Sequence, residues 1–340
     1  MYILQLQEVS TEQLQCMEEE TKVLVDGVYD CTHFAHANCL RRAAAFATTV
    51  VAGIHNDAEI KKHKHCAPVF YENERYELVQ NLKFVSETIE NLRYDFDLTD
   101  IDNFGIDLVA HGDEPVLSAD GTVLYSDIIN AGRYRVFPRT EGTSTTDVIQ
   151  SVLDFNNREI KPKHSKAIVN VDRPAVNDKL PFEFPSASGL TTVYTEGSFE
   201  IFTLGHLKFL QEATQLGDRL VVGVKSDKCL TDRKLAGRPL INSLQRALNV
   251  LSYQQVSGVV LLPPKYDTRE IMRNVGANWI CSGIGTTEKK WINLENIATL
   301  DCYRQLNSHS AINTETIVKR ILDRQSEFQV RNHIKMTRIS

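Results

Sequence analysis

Short apolar runs, each ended by a glycine or a polar turn, alternate along this chain with stretches of helical spacing. Residues 22–26 form an apolar run that predicts a strand broken at Gly27. Alanine-rich residues 37–47 predict a helix, and residues 50–54 a second strand. Residues 72–85 set Tyr76, Val79 and Leu82 at helical spacing. Residues 106–111 predict a third strand that runs into His-Gly-Asp. The rhythm then returns, with apolar runs at 220–224, 244–251, 259–262 and 279–282. Strand, helix, strand in this order builds parallel βαβ units. The expected fold class is therefore α/β, with tandem Rossmann-like domains, each a doubly wound parallel sheet.

The rhythm returns because the chain repeats itself. Residues 23–57 (VLVDGVYDCTHFAHANCLRRAAAFATTVVAGIHND) align without a gap on residues 193–227 (VYTEGSFEIFTLGHLKFLQEATQLGDRLVVGVKSD) at a constant offset of 170. Gly27 falls on Gly197, His36 on His206, Gly53 on Gly223 and Asp57 on Asp227. A period this long is a duplicated domain rather than a solenoid repeat. We expect domains over 20–155 and 190–325. The segment 156–189, rich in proline and lysine, reads as the linker. Residues 1–20 read as a polar lead-in, and the basic trio Lys161, Lys163 and Lys166 as solvated linker.

Composition narrows the class of protein. With 340 residues, 42% hydrophobic and 24% charged, the chain has the make-up of a soluble globular protein with two ordinary cores. A net charge of -6 argues against a nucleic-acid binder that works through a broad basic surface. The seven cysteines include no CxxC pair, which suits buried thiols in a reducing cytoplasm. No signal peptide or apolar membrane span stands out. His63, His65 and Cys66 do not have the spacing of a structural zinc site, so no protein-held metal is expected.

Candidate chemistry gathers where the strands end. Gly27, Tyr29 and Asp30 follow the first strand, and Gly27 would let backbone approach a ligand closely. His33 and His36 stand at the start of a helix, where unpaired N–H groups favour phosphate oxygens. Two imidazoles three residues apart can both donate to one phosphate as charge builds on it. Lys64, shortly after the second strand, offers a mobile cation. His111-Gly112-Asp113 closes the third strand. Arg139 and Thr140, with Ser144, Thr145 and Thr146 at a helix start, have the composition of an oxyanion site. In the second copy Gly205 and His206 survive, and Lys234 can take the part of Lys64.

His33–His36 (HFAH), NERYELV at 73–79, the HGD at 111–113 and RTEGTSTTD at 139–147 together resemble the cytidylyltransferase family, within the HxGH nucleotidyltransferase superfamily. The likeness spans about 20–155 and again about 190–325. It implies transfer of CMP from CTP to a small phosphate ester. Tandem duplication points within the family to phosphoethanolamine as acceptor and to phospholipid synthesis. The residues alone leave phosphocholine open, and also a nucleotide-binding pseudoenzyme. By the resemblance, His33 and His36 stabilise charge on the transferring phosphates. Lys64 steadies the triphosphate, Arg139 with Ser144 and Thr145 holds its outer phosphates, and Asp113 lies near cytosine or ribose. Mg²⁺ rides on the nucleotide.

Departures from the family pattern are Ala35 for the glycine of HxGH, His65 for a glycine and Glu114 for an aspartate. The second copy has Thr203 for the first histidine, Glu200 for Asp30 and Ser282-Gly283 for His111-Gly112, and its closing signature lacks the arginine. It is expected to be mainly structural, packed as an internal pseudo-dimer, with a homodimer also open. Residues after Arg324 are too few and too polar for an amphipathic membrane helix.

Overall fold

A computed structural model describes residues 2–4, 20–64, 66–113, 124–156, 189–230, 239–284, 297 and 299–339. The chain forms two compact units, each assembled from two stretches. Residues 8–170 with 317–340 make one, and residues 1–7 with 171–316 the other.

The first unit holds five parallel strands in the order β4-β3-β2-β5-β6. These are β2 Lys22–Gly27, β3 Thr49–His55, β4 Glu87–Leu92, β5 Leu108–Gly112 and β6 Tyr134–Phe137. Val23, Leu24 and Val25 of β2 are buried on both faces, as helices covering a parallel sheet require. The chain winds outward from β2 to β4, then returns to place β5 on the other side of β2. That reversal opens a crevice at the carboxyl ends of β2 and β5.

The second unit repeats the order in β9-β8-β7-β10-β11, where β7 is Thr192–Gly197, β8 Arg219–Lys225, β9 Gly258–Leu262, β10 Trp279–Gly283 and β11 Tyr303–Leu306. Its outer edge carries a sixth strand, β1 (Tyr2–Leu4), paired antiparallel with β9 through Ile3 opposite Val260. The expectation of a polar lead-in is corrected here. Tyr-Ile-Leu is a short apolar strand that covers an otherwise open sheet edge.

Both units are braced by one buried arginine. Arg75, fully buried in the helix Glu72–Gln80, donates from Nε to Phe70 O (3.2 Å), from Nη1 to Val28 O (2.7 Å) and from Nη2 to Asp57 Oδ1 (2.9 Å). Arg246 makes the same three bonds in the second unit, to Ile241 O, Ser198 O and Asp227 Oδ1. The ERY-type segment is thus a framework device, tying the turn after the first strand to the helix that follows the second.

Residues 317–339 also depart from expectation, because the first unit did not end near 155. Helices Thr314–Asp323 and Gln325–Ile339 bring Arg320 onto Glu74 (2.6 and 2.9 Å) and Arg324 onto Pro68 O and Ala67 O (2.8 and 2.7 Å). No helix among the described residues is long and apolar enough to cross a membrane.

Candidate active site

At the β2/β5 crevice of the first unit lies a cavity of about 500 Å³. His33, His36 and Lys64 line it, as do Gly27, Tyr29 and Asp30. His111, Gly112, Arg139, Thr140, Ser144, Thr145 and Thr146 complete the predicted set on its wall. Asp113 is not on that wall. It is exposed and accepts the Arg139 backbone N–H at 3.2 Å, anchoring the loop instead. Lys234 lies outside the described residues.

The histidines start the helix Phe34–Ala43. The His33 backbone N–H donates to His36 Nδ1 at 3.3 Å, and the rings stack with centroids 3.9 Å apart. Because Nδ1 accepts, the proton of neutral His36 sits on Nε2. Burial, and after it the charges of Lys64 and Arg139, press the His36 pKa down to about 3. His36 is therefore a neutral donor beside two permanent cations. Lys64 is exposed at the rim, 5.9 Å from the Tyr94 ring centroid, and His63 stacks on that ring.

Several predicted residues line the cavity with their polar atoms already engaged. Asp30 is buried, and its carboxylate accepts the Val69 and Phe70 N–H groups at 2.9–3.0 Å. Thr145 Oγ1 donates to Asp30 O (2.9 Å), and Thr140 Oγ1 accepts from Asn38 (2.7 Å). Ser144 caps the helix Thr145–Asn156 by accepting Asp147 N–H at 3.2 Å, while its hydroxyl donates to the Asp147 carboxylate. What this segment presents is mainly a helix N-terminus rather than a row of hydroxyls.

The reading of Gly27 also changes. A Cβ there would meet the Tyr29 ring at 3.1 Å, so the glycine makes room for a neighbouring side chain rather than a ligand. Tyr29 itself has φ 53°, is buried and donates to Val25 O at 2.7 Å. Gly197 and Phe199 (φ 51°) repeat the arrangement in the second unit.

One cavity residue outside the predicted set is Asp26, at the end of β2. It lines the cavity at 8% exposure; Oδ2 accepts from Tyr125 OH (2.8 Å) and faces His55 Nε2 (3.3 Å), while buried Oδ1 has no hydrogen-bond partner. Burial alone would raise its pKa. The His55 hydrogen bond, the charges of His111 and His55 and the Tyr125 hydroxyl outweigh it and hold the carboxyl below its ordinary value. Tyr94, Tyr125 and Tyr134 surround it, each with its hydroxyl pKa raised first by burial and then by the Asp26 charge. An acid closing a buried apolar run was the available signal.

The second unit differs at the matching place. Thr203 Oγ1 (3.0 Å) and Gly205 N–H (3.1 Å) both donate to the chain's own Ile312 carbonyl. A Cβ on Gly205 would lie 2.2 Å from that oxygen. His206 keeps the tautomer of His36, accepting Thr203 N–H on Nδ1 at 3.1 Å, with burial lowering its pKa to about 4. Glu196 stands at the place of Asp26, and both its oxygens are satisfied, by Tyr194 OH (3.0 Å) and Tyr266 OH (2.8 Å).

The description "Cytidylyltransferase-like" fits residues 24–151 and again 194–316, one match for each sheet. The chain belongs to the cytidylyltransferase-like family. Among curated members it is 30% identical to the ethanolamine-phosphate cytidylyltransferase of Mus musculus, over 92% of this chain and 89% of that one. The Dictyostelium discoideum protein of the same name is 29% identical, over 92% and 94%. The choline-phosphate cytidylyltransferase A of Mus musculus is 33% identical, but over only 40% of this chain and 37% of its own. This member therefore matches the first two along both copies of the repeat, and the third over less than half its length.

Proposed function

We propose that the protein transfers CMP from CTP to phosphoethanolamine, giving CDP-ethanolamine and pyrophosphate, a step of phospholipid synthesis. Relatives carrying that activity in their names match both copies over nearly the whole chain. The observation that carries the choice of acceptor is the unpartnered Oδ1 of Asp26, buried in the same cavity as His33 and His36. A primary ammonium carries N–H donors that such an oxygen accepts, whereas a quaternary ammonium has none and depends on aromatic faces. Asp30, the other acid on the described wall, is consumed by two backbone amides, which leaves Asp26 as the acceptor.

In this reading a phosphate oxygen of phosphoethanolamine attacks the α-phosphorus of CTP. The bond from that phosphorus to the bridging oxygen breaks, and pyrophosphate leaves with the electron pair. The His36 Nε2–H donates to the oxygens on which charge develops. Its depressed pKa keeps the ring neutral, so no proton is lost from an imidazolium during transfer. The first turn of helix Thr145–Asn156, Arg139 and Lys64 supply positive potential for the outer phosphates. Among the described residues the wall holds cations and imidazoles, with Asp26 and Asp30 as its acids. That donor set suits Mg²⁺ entering on the triphosphate, whose charge it shields. The described cysteines are free thiols, in keeping with a cytoplasmic setting.

Turnover of CTP with phosphoethanolamine and with phosphocholine tests the reading. We expect kcat/KM to favour phosphoethanolamine at least tenfold. Asp26→Asn should raise KM for phosphoethanolamine about tenfold or more, because a charge-assisted bond is lost, and leave KM for CTP nearly unchanged. Equal use of both acceptors, or no turnover by a protein that binds CTP, would sink it.

A further inference from the structure

One cation on the cavity wall comes from outside every motif of the repeat. Arg331 belongs to the helix Gln325–Ile339 and lines the cavity with His33, His36, Lys64 and Arg139. The helix is held firmly at this point. Phe328 is fully buried one turn earlier, and buried Asn332 donates to Gln150 Oε1 at 3.2 Å on the helix Thr145–Asn156. Arg331 rests over the Phe328 ring, 5.1 Å from its centroid, and donates from Nη2 to Asn332 Oδ1 at 3.2 Å. Its charge also reaches Cys31 and Cys66, where it opposes the rise that burial imposes on both thiols.

Three other arginines around these elements each have a carboxylate. Arg75 meets Asp57, Arg320 meets Glu74 and Arg324 meets Glu327. Among the described residues no carboxylate lies within ion-pair distance of Arg331. A guanidinium has five N–H donors in a planar fork suited to phosphate. One that is oriented by a ring and an amide, faces a cavity and lacks an acid is arranged for an anion that arrives from outside.

We propose that Arg331 binds the β- and γ-phosphates of CTP, the part that leaves as pyrophosphate. Its neighbours decide between nucleotide and acceptor. Through Asn332 it is tied to the helix whose first turn faces the cavity with Ser144, Thr145 and Thr146, whereas the ammonium acceptor Asp26 ends β2. The inference rests on the CTP reading above and adds a residue that lies beyond the second copy of the repeat.

Calorimetric titration of the full chain with CTP and with CMP, which lacks the outer phosphates, tests it. Arg331→Gln should weaken CTP binding tenfold or more and change CMP binding less than twofold; Arg331→Lys, keeping charge without the fork, should fall between. Unchanged CTP affinity in Arg331→Gln would overturn the proposal. Equal weakening of CTP and CMP would also overturn it, since that marks loss of support by the helix. A wild-type protein that binds neither nucleotide removes the CTP reading itself, and this proposal with it; wild-type binding with an unaffected variant removes only the proposal.

Discussion

The two copies share their framework and differ at their mouths. Arg75 and Arg246 make matching sets of three bonds, Tyr29 and Phe199 both take a left-handed backbone over a glycine, and His36 and His206 both accept the backbone N–H three residues earlier. In the first copy these supports surround a cavity. In the second, Ile312 O takes the N–H of Gly205 and the hydroxyl of Thr203, and Glu196 is satisfied by two tyrosines. Where the first copy has His33, the second has a threonine bonded to the chain's own oxygen. Framework geometry is therefore shared by both copies, while the surroundings of the Gly-His pair are not.

The comparison is broken most easily by kinetics. His36→Ala should lower kcat about a hundredfold or more, the cost of one transition-state donor, while His206→Ala should stay within about twofold. Equal losses, read from CDP-ethanolamine formation, would show that the second copy takes part in turnover.

Stability sharpens the contrast at the neighbouring position. Gly205→Ala forces a methyl group against Ile312 O, since the Cβ position lies 2.2 Å away, and should cost about 1–3 kcal/mol. Ala35→Gly removes a methyl from a cavity wall and should cost no more than about 1 kcal/mol. Denaturant unfolding of the two variants measures both, and a Gly205→Ala protein as stable as wild type would show that segment 308–313 is not locked in place.

The smallest effect should be alike in both copies. The folded-state pKa values of His36 and His206, about 3 and about 4, lie below an ordinary 6.5, so the unfolded chain takes up protons first as pH falls. Stability from each is fully present above about 6.5 and is lost as pH drops towards those values. Between pH 7 and pH 5, His36→Asn and His206→Asn should each lose less stability than wild type, by up to about 2 kcal/mol. Identical pH responses of all three proteins would contradict the burial of both rings.

The repeat and the strand ends made the fold legible, because apolar runs of β2, β3 and β5 are buried on both faces and carry no polar interruptions. β4 (ETIENL) escaped notice: it lies at a sheet edge, where half its side chains meet solvent and the apolar signal fades. The site was legible as a set of positions and less so as roles. Asp30 stood among the candidate ligand-binding residues, but its carboxylate holds the turn at 69–70. Asp26 looked like the end of a strand, and only the fold shows a buried carboxylate with one oxygen left without a partner. Arg331 carries no local pattern at all, since its meaning depends on where residues nearly 190 positions earlier fold.

Both units are discontinuous along the chain, and this orders events during synthesis. The strand β9 that residues 2–4 border is made more than 250 residues after them. The first sheet is complete in sequence by residue 137, but the helices that brace its 66–74 segment emerge only after the second sheet has been made. The first unit therefore cannot reach its final state until those helices have been made. Cutting the protein in two between residues 156 and 189 would therefore yield two unfinished pieces, one lacking an edge strand and the other part of its cavity wall.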